Sequence, residues 1–585
     1  MLFAIKNKKE MLYLAMGVLL CFCLGQYGIM SLFGFAFFPD EFGYWSPAAN
    51  LLGWDWSQTT SLGSYYSFGY GLLLTPILYL VKDSILAYRT AVFLNVILMC
   101  IGLCLMHWLV KKLFPALEGK KAVLISTVAV VCPAWIFYMQ STMTEALLLF
   151  GYLLVCVLVW RFFEKPGVLS ACFLVTALVY LYTVHMRCIG TIAAGGLTLL
   201  IWSLKRRRKK QMGKALLIVL MLLLLFWVAL GIKSGVVDRL YGSASSDMLS
   251  VNDYSGQWKK IWYVFSREGM IAFFTGLMAK LLYLGASTFG LAYWGLWSAG
   301  KRALRLFGRK EKRENTEYFW LFLFLSLAAQ ILVTVFYTIE STNGENRRLD
   351  LFVHGRYDEL IVPILTALGL ERILGSRKIW SGTGICAGVM CLFTLSSVWT
   401  AQRVGISQVQ GYFMVGMSYM LSEEHFSPAT FLWEAVCFAC IVMIAVAAVA
   451  SILRKYAQRE WILLLLVLVQ VLLGMQASQH YIYIGESYGY GDVKMADKVL
   501  EHLDTDGPGT VIHLYEGGTP YIEQVQFRLR NLKVEIRDGT AEEAMDELRP
   551  EDLVIVQHWS GLEEPLNMLY DENWTSGHLS LYYNE

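Results

Sequence analysis

Long apolar segments constrain the fold of this sequence more than any other feature. A run of roughly 17 to 25 mostly apolar residues is long enough to cross the hydrocarbon core of a bilayer as a helix. The chain of 585 residues is 56% hydrophobic and only 16% charged, a balance that excludes an ordinary soluble globular protein. We therefore predict an all-α polytopic membrane protein.

About thirteen segments have the length and composition of transmembrane helices. They cover approximately residues 11–37, 86–110, 122–138, 145–163, 168–186, 189–204, 215–233, 270–297, 318–339, 359–374, 379–400, 431–453 and 461–478. A further apolar run at 68–81 is only about 14 residues long, which is short for a span. We interpret it as an interfacial or re-entrant helix.

The positively charged residues predict the orientation in the membrane. Lysine and arginine are enriched in cytoplasmic loops. If the run at 68–81 crossed the bilayer, the basic residues between 111 and 121 and the cluster at 205–210 would face outward. Without that crossing every strong basic cluster is cytoplasmic. We therefore predict a multi-pass protein of the cell (plasma) membrane, with a cytoplasmic N-terminus and an extracytoplasmic C-terminus.

The C-terminal segment differs from the rest of the chain in charge. Residues 479–585 contain 21 aspartates and glutamates but only 7 lysines and arginines. Alternating helix and strand patterns favour a small α/β domain with a mostly parallel sheet. They place helices at 492–502, 521–530 and 540–548, and strands at 510–515, 533–536, 553–557 and 579–583. We therefore divide the chain into a membrane module, 1–480, and an acidic extracytoplasmic domain, 481–585, which contacts the acceptor or serves as a structural cap.

Polar residues that could carry chemistry gather on the predicted outer side. They include Asp40, Glu41, Tyr44, Glu145, Arg187, His354, Arg356 and Tyr357. Acidic side chains could activate a hydroxyl, and basic side chains could hold a phosphate. Glycosyl transfer from a lipid phosphate needs this division of labour, although the pattern is not unique to it.

Each residue also has an ordinary structural interpretation. Adjacent acids can solvate a helix end, and Glu145 stands where the helix dipole favours an acid. His354 and Arg356 could be interfacial anchors. Arg187 is harder to explain in this way, because an unpaired arginine close to the membrane is costly.

The order and spacing of four motifs are more specific than any one residue. The first is Asp40-Glu41 after the first span, and the second is the short helix opening at Tyr66-Ser67-Phe68-Gly69-Tyr70-Gly71 and reaching Pro76. The others are Met143-Thr144-Glu145 and His354-Gly355-Arg356-Tyr357, the latter preceding Pro363. Over approximately residues 1–480 the chain thereby resembles glycosyltransferases of the GT-C fold. It is most similar to the protein O-mannosyltransferase and aminoarabinose transferase group.

The resemblance implies a reaction and a role for each motif. These enzymes transfer a sugar from a polyprenyl-phosphate carrier on the outer membrane face. Asp40 would be the general base, with Glu41 as a positioning or metal-binding acid and Glu145 as a second acid. The other residues that the resemblance and the outer location assign to substrate binding are Arg356, His354, Tyr357, Tyr66, Arg187 and Tyr44.

Two departures from that group are visible. A lysine often found near the short helix of the aminoarabinose transferases is missing, and the C-terminal segment is expected to be an additional domain. The donor sugar and the acceptor, a cell-envelope glycan, lipid or protein, are left open.

Other interpretations also remain open. A polytopic transporter or lipid-linked saccharide flippase would have a similar composition, but it usually shows internal repeats and ionisable groups at mid-membrane depth. A surface-polysaccharide polymerase or ligase would share the topology. No cofactor is certain from the sequence; a divalent metal at Glu41 and His354 is one option. The basic clusters are explained by sidedness, and we expect no nucleic-acid partner.

Overall fold

The computed structural model describes residues 7–205, 209–244, 257–308, 315–342, 347–422, 425–453, 460–505 and 509–584. Part of the basic cluster at 205–210 lies outside these ranges. The first helices are α1 Lys8–Gln26, α2 Asp40–Leu51, α3 Ser57–Thr60, α4 Gly69–Leu80, α5 Ser84–Leu113, α6 Gly119–Val130, α7 Pro133–Tyr138, α8 Glu145–Glu164, α9 Val168–Val184, α10 Ile189–Lys205 and α11 Lys209–Leu240.

The chain continues with the second half of the helical bundle. Its helices are α12 Gln257–Tyr263, α13 Arg267–Ser287, α14 Leu291–Gly308, α15 Glu317–Tyr337, α16 Leu349–Val353, α17 Val362–Gly375, α18 Ile379–Val404, α19 Pro428–Leu453 and α20 Trp461–Ser478. The tail contains α21 Ile484–Thr505, β1 Val511–Tyr515, α22 Ile522–Leu529, β2 Val534–Asp538, β3 Leu553–Gln557, α23 Glu563–Leu569, β4 Glu572–Ser576 and β5 Leu579–Tyr583.

The predicted membrane class is confirmed by the length and apolarity of the helices. Ten helices in the described ranges are long and apolar enough to cross a bilayer. They are Lys8–Ser31, Ser84–Leu113, Glu145–Glu164, Met186–Lys205, Met212–Leu240, Arg267–Ser287, Glu317–Tyr337, Ile379–Val404, Pro428–Leu453 and Trp461–Tyr483. The run at 68–81 forms a shorter apolar helix, Gly69–Leu80, as expected.

Three of the thirteen predicted spans are shorter or interrupted. The helix Val168–Val184 has 17 residues. The segment 122–138 is divided between α6 and α7, because Pro133 lacks the N–H group that would continue the first helix. The segment 359–374 begins as a 3-10 turn, Glu359–Ile361, and continues as α17.

Two predicted span boundaries are wrong. Helix α1 ends at Gln26 rather than Phe37, so the chain between 27 and 39 leaves the helix before Asp40. The span predicted at 270–297 ends at Ser287. Phe289 and Gly290 have positive φ angles of 52° and 78°, a left-handed turn that terminates a helix and starts α14 in a new direction.

The helices separate the candidate site from the basic residues. Helix α8 begins at Glu145 and ends at Glu164, whose Oε1 lies 2.6 Å from the Nζ of Lys112. Helix α10 begins two residues after Arg187 and ends at Lys205. Both helices therefore run from predicted site residues to basic residues, so the two groups lie at opposite ends of the bundle.

The tail is an α/β domain joined to the bundle by continuous helix. A π-helical turn, Gln479–Tyr483, links α20 directly to α21. The five strands have the order β2-β1-β3-β5-β4. Strand β1 pairs in parallel with β2 and β3, whereas β5 pairs antiparallel with β3 and β4. The sheet is thus mixed rather than mostly parallel, because β4 and β5 form a hairpin at one edge.

The local predictions for the tail were right at most elements. The predicted strands and the second helix are present with small shifts of boundary, whereas the first helix begins at Ile484, eight residues before the predicted start. The helix predicted at 540–548 is wrong, since the chain forms only a 3-10 turn at Glu542–Met545. Helix α23 and strand β4 were not predicted.

Candidate active site

The adjacent acids at the start of α2 have different environments. Acidic residues are favoured in the first helical turn, where the free N–H groups concentrate positive charge. The side chain of Asp40 is 21% exposed, whereas Glu41 is fully buried. Only Asp40 of this pair is therefore accessible to a substrate.

Asp40 is held by two donors that come from distant parts of the chain. Its Oδ2 lies 2.6 Å from Nη1 of Arg356, and its Oδ1 accepts a hydrogen bond of 2.8 Å from the Tyr66 hydroxyl. Tyr66 precedes the short helix α4. The fold thus joins three of the four sequence motifs at one carboxylate.

Glu145 and two arginines extend this contact into a cluster of four charges. Oε1 of Glu145 lies 2.6 Å from Nε of Arg356 and 2.9 Å from Nη2 of Arg187. Arg356 therefore bridges Asp40 and Glu145. Two positive and two negative groups balance, which allows ions to persist away from water.

The cluster retains buried groups without hydrogen-bond partners among the described residues. Nε and Nη1 of Arg187 and Oε2 of Glu145 are in this position. The Arg187 guanidinium lies 4.6 Å from the centre of the Tyr357 ring. Buried donors are normally satisfied, so these groups are candidates for contact with a polar ligand.

Electrostatics keep Arg356 charged. Burial lowers the pKa of Arg356, but the carboxylates of Glu145 and Asp40 raise it more, and the result lies well above the usual range. In contrast, burial lowers the pKa of His354 well below its usual value, and the nearby cations shift it in the same direction. His354 is therefore neutral.

Glu41 is fully occupied by contacts with the protein. Its Oε1 accepts hydrogen bonds from the backbone of Ala36 and Phe37 at 2.9 and 3.1 Å. Its Oε2 accepts one from the Tyr88 hydroxyl at 2.8 Å and two from Thr142 at 2.6 Å. Glu41 thus connects the segment before α2 to the loop that carries Glu145, which is the geometry of a positioning residue.

The remaining candidate residues form an aromatic surround. His354 has a φ of 43°, and its ring lies 4.4 Å from that of Tyr357 and 5.6 Å from that of Phe413. The hydroxyl of Tyr44 accepts a hydrogen bond of 3.3 Å from Thr144, next to Glu145. Tyr44 and Tyr357 thus border the charged cluster, and His354 lies behind Tyr357.

Comparison with solved structures identifies this arrangement of helices. Over 97% of both chains the structure resembles ArnT from Cupriavidus metallidurans bound to undecaprenyl phosphate, with a TM-score of 0.54 and 12% identity. For ArnT in the apo state the TM-score is 0.51 at 12% identity, covering 98% of this chain and 97% of ArnT. The chain has the GT-C fold. No protein-family profile matches its sequence, and neither does any curated protein.

The GT-C comparison corrects one expectation about the tail. Because the alignment covers 97% of both chains, the C-terminal segment cannot be an addition to the ArnT architecture. The tail has a counterpart there. The expectation of an additional domain is therefore wrong.

The tail packs directly against the segment that carries Asp40. The Phe527 ring of α22 lies 4.9 Å from Trp45 and 4.8 Å from Phe35. Gln524 accepts a hydrogen bond of 3.0 Å from the backbone of Phe35. The C-terminal domain of this GT-C protein therefore covers one side of the candidate site.

Glu523 is a site residue that sequence reasoning missed. It is 1% exposed, and its Oε2 has no hydrogen-bond partner in the described structure. Burial raises the pKa of Glu523 well above its usual value, and the charge of Asp40 raises it further. Glu523 could not be selected from the sequence, because it is one of many acidic residues in the tail and composition does not reveal which of them faces the membrane module.

A second missed group lies beside His354. Lys280 is fully buried and donates a hydrogen bond to the backbone carbonyl of Phe352. The Thr334 hydroxyl donates a hydrogen bond of 2.8 Å to a carboxylate oxygen of Asp358. A single lysine within an otherwise apolar helix was a usable signal, because charges inside spans are rare and functional.

The side chains give no preformed metal site in the described parts of the chain. Within those ranges no three histidine, cysteine, aspartate or glutamate side chains form a cluster suited to a metal ion. Glu41 accepts its hydrogen bonds from protein groups, and His354 is surrounded by aromatic rings. A divalent metal at Glu41 and His354 stays a prediction.

Proposed function

We propose that this protein is an integral membrane glycosyltransferase that moves a sugar from a polyprenyl-phosphate carrier to an acceptor hydroxyl. The observation that carries the proposal is the cluster of Asp40, Glu145, Arg187 and Arg356, drawn from four separate segments. It is supported by the fold, which is shared with ArnT, a protein crystallised with undecaprenyl phosphate.

The arginines provide the donor side of the reaction. The donor phosphate is a diester with one negative charge and gains a second as it leaves the sugar, and guanidinium groups match such a phosphate through paired hydrogen bonds. Arg356 is held by carboxylates, and Arg187 has two unused buried donors in the described structure. Phosphate would satisfy these donors and be stabilised as it leaves the sugar.

Asp40 provides the acceptor side. As the acceptor oxygen attacks the anomeric carbon, its proton passes to a carboxylate oxygen of Asp40. The new carbon–oxygen bond forms while the bond from the anomeric carbon to the phosphate oxygen breaks, and the electron pair leaves with the lipid phosphate. Attack opposite to the leaving group inverts the anomeric centre.

Donor binding can activate the base in this arrangement. Arg356 contacts both Asp40 and Glu145 at 2.6 Å in the free protein. A phosphate that recruits Arg356 weakens its contact with Asp40. The carboxylate then loses a hydrogen-bond donor and is free to accept the proton of the acceptor hydroxyl. Transfer is thereby linked to the presence of the donor.

We assign acceptor binding to a cleft between the membrane module and the tail. It has a volume of about 490 Å³ between the loop after α3 and the ends of strands β1 and β2, with Gln58, Ser61, Tyr515, Glu516 and Asp538 among its lining residues. Gly63 follows this loop, and a Cβ atom placed there would lie 3.1 Å from Cβ of Pro39, next to Asp40. Hydroxyl, amide and carboxylate groups suit a hydroxyl-rich acceptor.

The positions of the basic residues support transfer on the outer face. Lys112 and Lys205 lie at the end of the bundle opposite to Glu145 and Arg187. Basic residues favour the cytoplasmic side. The cluster would therefore face outward, together with the tail that packs against it.

Release of lipid phosphate tests the proposed function. The purified full-length protein would be incubated with an extract of the source membranes that contains both the lipid-linked sugars and the acceptors, and mass spectrometry would follow the appearance of free polyprenyl phosphate. We expect release by the wild type and loss of release in Arg356→Gln. Arg377→Gln, an exposed arginine away from the cluster, should behave as wild type. No release by well-folded wild-type protein would overturn the proposal.

A further inference from the structure

A large groove lies apart from the charged cluster. It has a volume of about 800 Å³ and is bounded by helices α13, α14, α15 and α18. The end of α14 adjoins the basic end of the bundle, since Lys205 donates a hydrogen bond of 3.4 Å to the carbonyl of Leu306. The proposed transfer reaction makes no use of this groove.

The walls of the groove are mainly apolar. Leu281, Leu296, Phe324, Val389 and Phe393 line it. Trp297 also lines it and is 64% exposed. Exposed apolar walls on a membrane-spanning bundle are suited to hydrocarbon, and tryptophan is typical of the interface between hydrocarbon and headgroups.

Two cations stand along one side of the groove. Lys301 and Arg305 are four residues apart on α14 and therefore lie on the same helical face. Neither forms an ion pair with another residue in the described ranges. Arg302, between them, is directed elsewhere, with its guanidinium 3.5 Å from Glu371 and 4.4 Å from the Trp320 ring.

We propose that this groove binds an anionic phospholipid, with acyl chains on the apolar wall and the phosphate between Lys301 and Arg305. Basic pockets between transmembrane helices on the cytoplasmic side bind anionic headgroups. The groove matches such a lipid because its wall is apolar and the two cations at its edge form no ion pair within the part of the chain that the structure describes. A zwitterionic lipid fits the same wall but gains less from the cations.

The location of the groove argues against the sugar carrier as its occupant. A donor phosphate must reach Arg356, which lies at the other end of the bundle from Lys205. Lys301 and Arg305 lie on α14 within five residues of Leu306, which Lys205 contacts. A phospholipid of the cytoplasmic leaflet places its phosphate at that end.

Native mass spectrometry of the full-length protein in detergent tests the site. Dioleoyl phosphatidylglycerol and dioleoyl phosphatidylcholine, which have the same acyl chains, would be titrated separately. We expect the wild type to prefer phosphatidylglycerol, and Lys301→Gln/Arg305→Gln to lose about thirtyfold in affinity for it. Arg377→Gln/Lys378→Gln removes the same charge from the loop before α18 and should retain wild-type affinity.

A second variant tests the apolar part of the groove. Val389→Trp should weaken binding of both lipids, because the larger ring occupies space that the acyl chains need. Equal binding of the two lipids by the wild type would overturn the proposal, and so would undiminished binding of phosphatidylglycerol by the double variant. Displacement by undecaprenyl phosphate that depends on Lys301 and Arg305 would also overturn it, by identifying the occupant as the carrier lipid.

Discussion

Replacement of Asp40 by asparagine should separate donor binding from transfer. The amide has nearly the same shape as the carboxylate, and its single carbonyl oxygen can still accept a hydrogen bond from Arg356, while its NH2 group replaces the oxygen that faces Tyr66. It cannot accept a proton during the reaction. Removal of a general base slows an enzyme by about 100- to 10,000-fold, so transfer should fall within that range.

The same change should strengthen the binding of lipid phosphate. In the wild type, Asp40 contacts Nη1 of Arg356 at 2.6 Å and competes with phosphate for it. A charge-assisted hydrogen bond contributes about 1.5 to 3 kcal/mol, equivalent to about 10- to 100-fold in affinity. Because the asparagine carbonyl still forms a neutral hydrogen bond, we expect a gain near the lower end, about tenfold.

Two measurements on one protein preparation would examine this reasoning. Native mass spectrometry gives the affinity for undecaprenyl phosphate, and release of polyprenyl phosphate from lipid-linked sugar gives the transfer rate. Asp55→Asn is the control, since Asp55 pairs with Lys533 at 2.7 Å, away from the cluster. Transfer at the wild-type rate by Asp40→Asn would refute its role as the base. Weaker lipid binding would refute the competition for Arg356.

Three further substitutions probe the surroundings of this carboxylate. Glu145→Gln leaves two buried guanidinium groups with too little negative charge and should cost about 3 to 5 kcal/mol, measured as a fall in the free energy of unfolding. Glu41→Gln places N–H groups against the donors of Tyr88 and Thr142, so both melting temperature and transfer rate should fall; Tyr88→Phe should show a smaller fall. Glu523→Gln tests how the stability of the protein depends on pH. Since the folded state raises the pKa of Glu523, folded protein binds more protons than unfolded protein above the usual glutamate pKa, and wild-type stability should decrease as pH rises there. The glutamine variant should show a flatter profile of melting temperature against pH, and an unchanged profile would contradict the burial of this carboxyl.

The amino-acid pattern was most informative where physical chemistry acts locally. Apolar length predicted the membrane helices, and the short run at 68–81 was correctly assigned as a shorter helix. Local patterns were less informative at helix ends. The turn at Phe289 and Gly290 divides an apolar run that looks continuous, and Pro133 interrupts another. In both cases the local backbone conformation ends a helix inside a segment whose composition is apolar throughout.

The candidate site shows a similar division. Arg187 and Glu145 were notable from the sequence because charges next to apolar spans are costly. Their pairing at 2.9 Å joins segments 42 residues apart, and the bridge that Arg356 makes to Asp40 joins segments 316 residues apart. The different environments of Asp40 and Glu41 are equally invisible in sequence. Adjacent carboxylates have the same local context until α2 packs and buries one of them.

The sequence by itself determined that this protein enters a membrane, which of its residues are polar at one end of the bundle, and which chemistry those residues could support. Only the tertiary structure decided that Asp40 is accessible, that Glu41 is committed to packing, and that Glu523 of the tail lies near the site. The physical reason is the range of the forces involved. The length of an apolar segment is a property of consecutive residues. Ion pairs and burial depend on distances between segments, which only the folded chain fixes.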